Sequence, residues 1–190
     1  IRGSHPDLNG QVVGGYDFIS DVGAAGDGDG RDPNPTDEGT NSAASSGIHG
    51  THVAGIIAAR SNNNQGIAGI CWNCKIVPIR ALGVDRGLGA DADIADAIRW
   101  AAGLDVKGVP TNQHKARIIN LSFGGTGASS LLTRAVQDAQ KAGVIVVAAA
   151  GNGGNTQINY PAGYPTVVAV SATTSADGLA SFSTRGANID

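Results

Sequence analysis

The sequence predicts an α/β fold, a mostly parallel sheet with helices on both faces. Three observations point there. Strand-like and helix-like segments alternate along the chain, several strand-like segments are apolar on both faces, and glycine supplies 29 of 190 residues for the turns between them. Strands with no polar face need cover on both sides, which parallel sheets receive from their crossover helices. No internal repeat or linker interrupts the pattern, so residues 1–190 are expected to form one domain.

Taken in order, Val12–Val13 and Tyr16–Ile19 are weak strand signals. Residues 20–46 lack periodicity and are rich in Gly, Asp, Asn and Ser, which reads as a long loop with a functional or metal-bound role. From His49 to about Arg60, Val53, Ile56 and Ile57 fall at helical spacing among small residues. A polar loop over Asn62–Gly66 precedes the apolar strand Lys75–Leu82. Asp91 or Asp93 then caps a helix whose Ile94, Ile98 and Ala101 share a face. Ile118–Leu121 is a strand, Leu131–Ala142 a helix stopped by Gly143, Val144–Ala149 a fully apolar strand, and Val167–Ser171 a further one.

Composition narrows the function. Hydrophobic residues are 41% and charged residues 15%, which excludes a charge-rich disordered chain. No apolar run approaches the roughly 18 residues of a membrane span and no leader opens the chain, so a mature soluble segment is expected. The net charge of −3 is unevenly spread: residues 1–50 balance at −6 and residues 51–190 at +3. With no basic stripe or aromatic platform, nucleic acid is not an expected partner. The acids are almost all Asp, since Glu occurs once, and they gather in one glycine-rich loop suited to a hard cation.

Ligands of parallel α/β sheets bind beyond the carboxyl ends of the strands. Three segments fall at such places: Gly47-Ile-His-Gly-Thr-His-Val-Ala-Gly55, Asn120-Leu-Ser-Phe-Gly-Gly125 and Ala148-Ala-Ala-Gly-Asn-Gly-Gly154. In the acidic loop, Asp27-Gly-Asp-Gly-Arg-Asp32 lets several oxygens converge on one ion, although it lacks the twelfth-position Glu and the flanking helices of an EF-hand. His52 lies three residues from His49 rather than at the four-residue spacing of the zinc helix motif, so it reads as structural. Cys71-Trp-Asn-Cys74 has no second pair, which argues against zinc and leaves a redox motif or a disulfide.

Together these motifs resemble the subtilase family of serine proteases, as it occurs in secreted bacterial members. His-Gly-Thr-His-Val-Ala-Gly matches the family's histidine motif and Gly151-Asn152 its oxyanion segment. Ser4–Leu8, Lys75–Gly83, Tyr160–Pro165 and Ala180–Ser183 match further positions in order. The resemblance implies an endopeptidase working through an acyl-enzyme, with His49 as general base and Asn152 as oxyanion donor. It implies that Ser122, Phe123 and Gly124 form one substrate edge and Ala149, Ala150 and Gly151 the other, with Leu88 and Gly89 lining the far side of an extended peptide.

The family's Gly-Thr-Ser-Met-Ala nucleophile motif is not in the chain, and its aspartate motif would immediately precede Ile1. The expectation is therefore an interior segment, inactive alone, whose Asp and Ser lie outside it. The carboxylate spacing of the acidic loop reads as a calcium site at Asp27, Asp29, Arg31 and Asp32, with Asp21 and Asp37 as further candidates, and the resemblance implies further calcium at Asp7 with Asn63 and more weakly near Tyr160–Val167. A secreted monomer with a local Cys71–Cys74 disulfide completes the expectation. A non-catalytic module of the same fold, binding peptide or calcium without turnover, is the alternative.

Overall fold

The structure is a computed structural model that describes residues 1–37, 39, 48–84, 87–187 and 189. Gly47 of the histidine motif and Asn188 and Asp190 at the end of the chain lie outside those residues, as does much of the predicted loop after Thr36. The chain divides into two compact units, Ile1–Ala97 and Ile98–Asp190.

The first unit opens with a 3-10 turn over Pro6–Leu8, which the apolar pattern does not signal. Strands β1 (Tyr16–Asp17) and β2 (Ile79–Arg80) then pair in parallel, Tyr16 with Ile79 and Asp17 with Arg80. Both are shorter than expected. Backbone bonds continue the pairing outside them, from Val13 N–H to Ile76 C=O at 2.9 Å and from Tyr16 N–H to Pro78 C=O at 3.2 Å. Pro78 has no N–H to return, which breaks the ladder there.

The loop after Ser20 is not structureless, contrary to expectation. It holds α1 (Val22–Ala25), capped by the Asp21 carboxylate on Ala24 N–H and closed by Gly26. Four residues are too few for apolar periodicity to register, so only the cap and the glycine mark α1 in the sequence. Helix α2 (His49–Ala58) forms as predicted, packing against the 3-10 turn. Leu8, Phe18, Ala25, Ala54 and Ala58 are the buried centre of this unit. Cys71 and Cys74 are disulfide-bonded, and Trp72 between them is 67% exposed.

Helix α3 (Asp91–Ala101) runs across the boundary between the units, its Asp91 and Asp93 in the first turn and Arg99 in the last. The second unit is a three-stranded parallel sheet of β3 (Ile118–Leu121), β4 (Ile145–Ala149) and β5 (Val168–Val170), with β4 central. Helix α4 (Ser130–Lys141) packs on β4 through Leu132, Ala135, Val136 and Ala139, a stripe spaced to one side of the helix. Gly143, at φ +80°, ends the turn after α4 as expected. One face of the sheet is buried through Ile119, Leu121, Val146, Ala148 and Ala169. The other shows Ile118 at 61% and Ile145 at 54% exposure, with Val168 and Val170 beside them.

Phe18 is fully buried, its ring 5.1 Å from that of Tyr16 and 5.6 Å below the Arg31 guanidinium. Phe18→Ala is expected to cost about 3–5 kcal/mol of stability, measured by urea unfolding of the intact protein.

Candidate active site

The second unit brings its motif residues together through parallel register. Leu121 at the end of β3 stands opposite Ala148 of β4, so Ser122–Gly124 and Ala149–Asn152 leave the sheet at the same edge. A strap formed by Asn159 and Tyr160 ties the two exits together. Tyr160 exchanges two backbone bonds with Gly125, at 2.8 and 2.9 Å, while Asn159 N–H donates to Ala150 C=O at 2.9 Å. The Asn159 side chain fills the space beside two glycines. A Cβ on Gly124 would lie 3.0 Å from Asn159 Cβ, and one on Gly151 would lie 2.8 Å from Asn159 Nδ2. Any larger residue at either position would push the strap away, and Gly151 also sits at φ +117°, which disfavours a side chain.

The turn carrying Asn152 is held from the other side by residues 182–185. Thr184 N–H donates to Gly151 C=O at 2.9 Å, Gly154 N–H to Phe182 C=O at 2.7 Å, and Arg185 N–H to Asn155 C=O at 2.9 Å. Asn152 itself is exposed. The structure thus brings Ser122, Phe123, Gly124, Ala149, Ala150, Gly151 and Asn152 to one edge. Ala150 is fully buried and both its main-chain groups are engaged, its N–H with Val170 C=O and its C=O with Asn159. Asn159 is the residue that motif reading missed; its only signal is an Asn before Tyr160-Pro161 in a loop.

In the first unit His49 is the first residue of α2 and is exposed, as is His52. The preceding residue, Ile48, gives the helix no side-chain cap, so the N–H groups of the first turn are not closed off by their own cap. Leu88 is exposed and accepts a backbone bond from Gly83 N–H at 2.8 Å, and Gly89 packs where a Cβ would meet Leu82 Cδ2 at 2.8 Å.

The acidic loop lies against β2. Arg80, 4% exposed, donates from Nη1 to Asp17 Oδ2 at 2.5 Å and Asp27 Oδ2 at 2.6 Å, and from Nη2 to Ala25 C=O. Asp27 Oδ1 is buried and has no hydrogen-bond partner. Asp29 lies against both Asp27 and Asp32, and burial together with those two carboxylates raises it above the ordinary carboxylate range. Asp32 Oδ1 accepts from Asn34 N–H and Asp21 Oδ1 from Ala24 N–H. The Arg31 side chain points elsewhere, to Asp93 Oδ1 at 2.6 Å, Asp96 Oδ2 at 2.8 Å and Phe18 C=O. Any share of Arg31 in a cation site is therefore through its main chain.

Asp7 and Asn63 also meet. Asn63 Nδ2 donates to Asp7 Oδ1 at 2.8 Å and Ile67 N–H to Asp7 Oδ2 at 2.9 Å. The Asn63 side chain and then the Ile67 N–H hold the Asp7 carboxyl below its ordinary value. Gly66, at φ +51°, passes so close that a Cβ would collide with the carboxylate. Among the described residues no three His, Cys, Asp or Glu side chains converge in metal-ligand geometry. The donor set is nonetheless of the hard-oxygen kind that calcium takes, and Asp27 contributes a buried oxygen without a partner.

The subtilase family profile matches residues 1–190. An extracellular protease of Xanthomonas campestris is 48% identical over 98% of this chain and 34% of its own length. Thermitase of Thermoactinomyces vulgaris is 40% identical over 100% of this chain and 58% of its own. A solved protease structure from Pseudoalteromonas arctica superimposes with a TM-score of 0.92 at 44% identity, covering 98% of this chain and 57% of that one. The chain spans between about a third and three fifths of the length of these relatives.

Because Asp7 is depressed from 3.8, its contribution to stability is fully present above about pH 4 and is lost as pH falls through its folded value. Asp7→Asn is expected to lower stability at pH 7, with the gap to the unsubstituted protein closing below about pH 4. Urea melts at pH 7 and pH 3 read both.

Proposed function

The chain belongs to the subtilase family, and on that premise we propose that the intact protein is an extracellular serine endopeptidase acting on extended peptides. His49 is the general base, taking the nucleophile's proton and returning it to the leaving amine. Asn152 donates its side-chain amide to the oxyanion, and the paired edges at Ser122–Gly124 and Ala149–Gly151 hold the peptide beside it. The Asp and Ser of the triad come from outside these residues. The observation that carries the reading is the strap of Asn159 and Tyr160, which sets two glycine-bearing exits side by side with Asn152 at the end of one. Bulky side chains are excluded there, as close approach of a peptide backbone requires.

Calcium belongs to the same proposal. The acidic loop would hold it through Asp27, Asp29 and Asp32, and a second position draws on Asp7 and Asn63. Asp27 Oδ1 is the supporting observation in the loop, being buried without a partner. When bound, the ion supplies charge compensation and rigidity, not a step in peptide hydrolysis.

Three experiments test this. A serine-directed phosphonate should label the intact protein at one residue, and a folded sample that takes no label would sink the endopeptidase reading in favour of a binding module. In the same protein, Asn152→Ala should lower kcat about 10²–10³-fold, the size known for such a donor in a subtilisin of this family. Calcium removal by EDTA should lower the melting temperature, by the equivalent of about 2.7 kcal/mol if the free ion stood at about 100 times its dissociation constant. Identical melting curves with and without chelator would remove calcium from the account.

A further inference from the structure

We infer that Asn152–Gly153 is a site of spontaneous deamidation, at which the side-chain amide of Asn152 is lost to attack by the Gly153 main-chain nitrogen. The chemistry needs no reagent but water. Its effect on activity rests on the oxyanion role proposed above for Asn152, and it sets a limit on how long that donor lasts.

The peptide between these two residues is the loosest link in a tied turn. On one side Thr184 N–H donates to Gly151 C=O at 2.9 Å, and on the other Gly154 N–H donates to Phe182 C=O at 2.7 Å. Between those ties, among the described residues, no main-chain group of Asn152 or Gly153 makes a hydrogen bond, and neither does the Asn152 carboxamide. Both residues are exposed, so solvent alone satisfies these groups. No bond holds the carboxamide away from the next main-chain nitrogen.

The backbone does not call for glycine at 153. Its neighbours Gly151 and Gly154 stand at φ +117° and +62°, where a side chain is disfavoured, whereas Gly153 has no positive φ. A Cβ there would first meet Asn155 Nδ2, at 3.0 Å, the far end of a side chain that can give way. What the missing side chain does is leave the Gly153 nitrogen uncrowded for ring closure. The other Asn-Gly pair, Asn9–Gly10, is held differently. Asn9 N–H donates to Pro6 C=O, Lys75 Nζ donates to Gly10 C=O, and Gly10 stands at φ +76°.

The Gly153 nitrogen forms a bond to Asn152 Cγ, the Cγ–Nδ2 bond breaks, and the proton given up by the Gly153 amide leaves with the amine as ammonia. A succinimide ring results. Water then adds to one of its two carbonyls, and breaking that carbon's bond to the ring nitrogen leaves a carboxylate. The product is Asp at 152, or an isoaspartyl link whose main chain runs through the former side chain. Either has lost the Nδ2 donor and carries negative charge where the oxyanion would form. The loss of kcat per converted molecule is therefore at least the roughly 10²–10³-fold of a removed donor, with like-charge repulsion added to it.

The test ages the intact protein at neutral and at alkaline pH and reads the peptide containing residues 152 and 153 by mass, after digestion with a second protease. Asn152 should exchange the mass of NH2 for that of OH and yield an isoaspartyl product. Conversion should be faster at alkaline pH, where the attacking amide is more often deprotonated, and Asn9 should lag behind. Maximal velocity should fall in step with the unconverted fraction at constant KM, because unconverted molecules carry the remaining turnover. Self-digestion is read separately, as loss of intact mass. Gly153→Ala should slow conversion severalfold and lengthen the activity half-life with it. A phosphonate adduct, whose oxygen engages the Asn152 amide, should protect Asn152 and leave Asn9 unaffected, which tests the inference without a substitution should Gly153→Ala not fold. An unconverted 152–153 peptide after ageing, or equal rates in the parent and Gly153→Ala, overturns the inference. Full conversion at Asn152 with turnover intact leaves the modification standing and overturns the oxyanion reading instead, so the two failures are distinct.

Discussion

The register of β4 against β3 is the constraint on which the second unit's site depends. Parallel strands end at the same edge, and pairing Leu121 with Ala148 makes two strand exits leave side by side. A slip of β4 by one residue would turn its buried Val146 and Ala148 outward, so the burial of those side chains and the placement of Asn152 are enforced together. The Asn159–Tyr160 strap then converts a shared edge into a fixed gap, using backbone bonds to both exits and one side chain lodged against two glycines.

In the first unit the comparable device is ionic. Arg80 reaches Asp17 on the neighbouring strand and Asp27 and Ala25 in the loop. A buried guanidinium is tolerable only because carboxylates and a carbonyl replace its water. The arrangement makes β2, β1 and the acidic loop one electrostatic object, and the Arg31 bonds to Asp93 and Asp96 anchor the loop's far side to the start of α3. Short strands of two residues each do not need long ladders when such bonds hold them.

Much of this was legible in the sequence where a local signal existed. Helices α2, α3 and α4 follow from apolar spacing, and Gly143 marks the stop of α4. The strands β4 and β5 follow from unbroken apolar runs and β3 from an apolar run broken only by Asn120, and the parallel α/β class from their alternation with helices. Helix α1 was hidden because four residues show no period, and β2 was overcalled because Pro78 removes a ladder bond that hydrophobicity cannot reveal. At the site, motif residues were readable by type and order, while Asn159 was not, because its role arises from where the chain returns. Arg80 left a trace, a charge inside the apolar run Ile76–Leu82 that must find a buried counterion, but its partners stand 63 and 53 residues away in sequence. Loop chemistry read as metal ligation also proved partly internal: Asp21 caps a helix and Arg31 pairs with α3.

The strip of Ile118, Ile145, Val168 and Val170 bears on how these residues behave in a tube. An apolar sheet face in water favours association between molecules, and added sulfate or phosphate strengthens it rather than screening it. Adhesion of folded chains through this strip would cloud a concentrated sample without any unfolding. Solubility and conformational stability are separate properties here, governed by opposite faces of the same three strands.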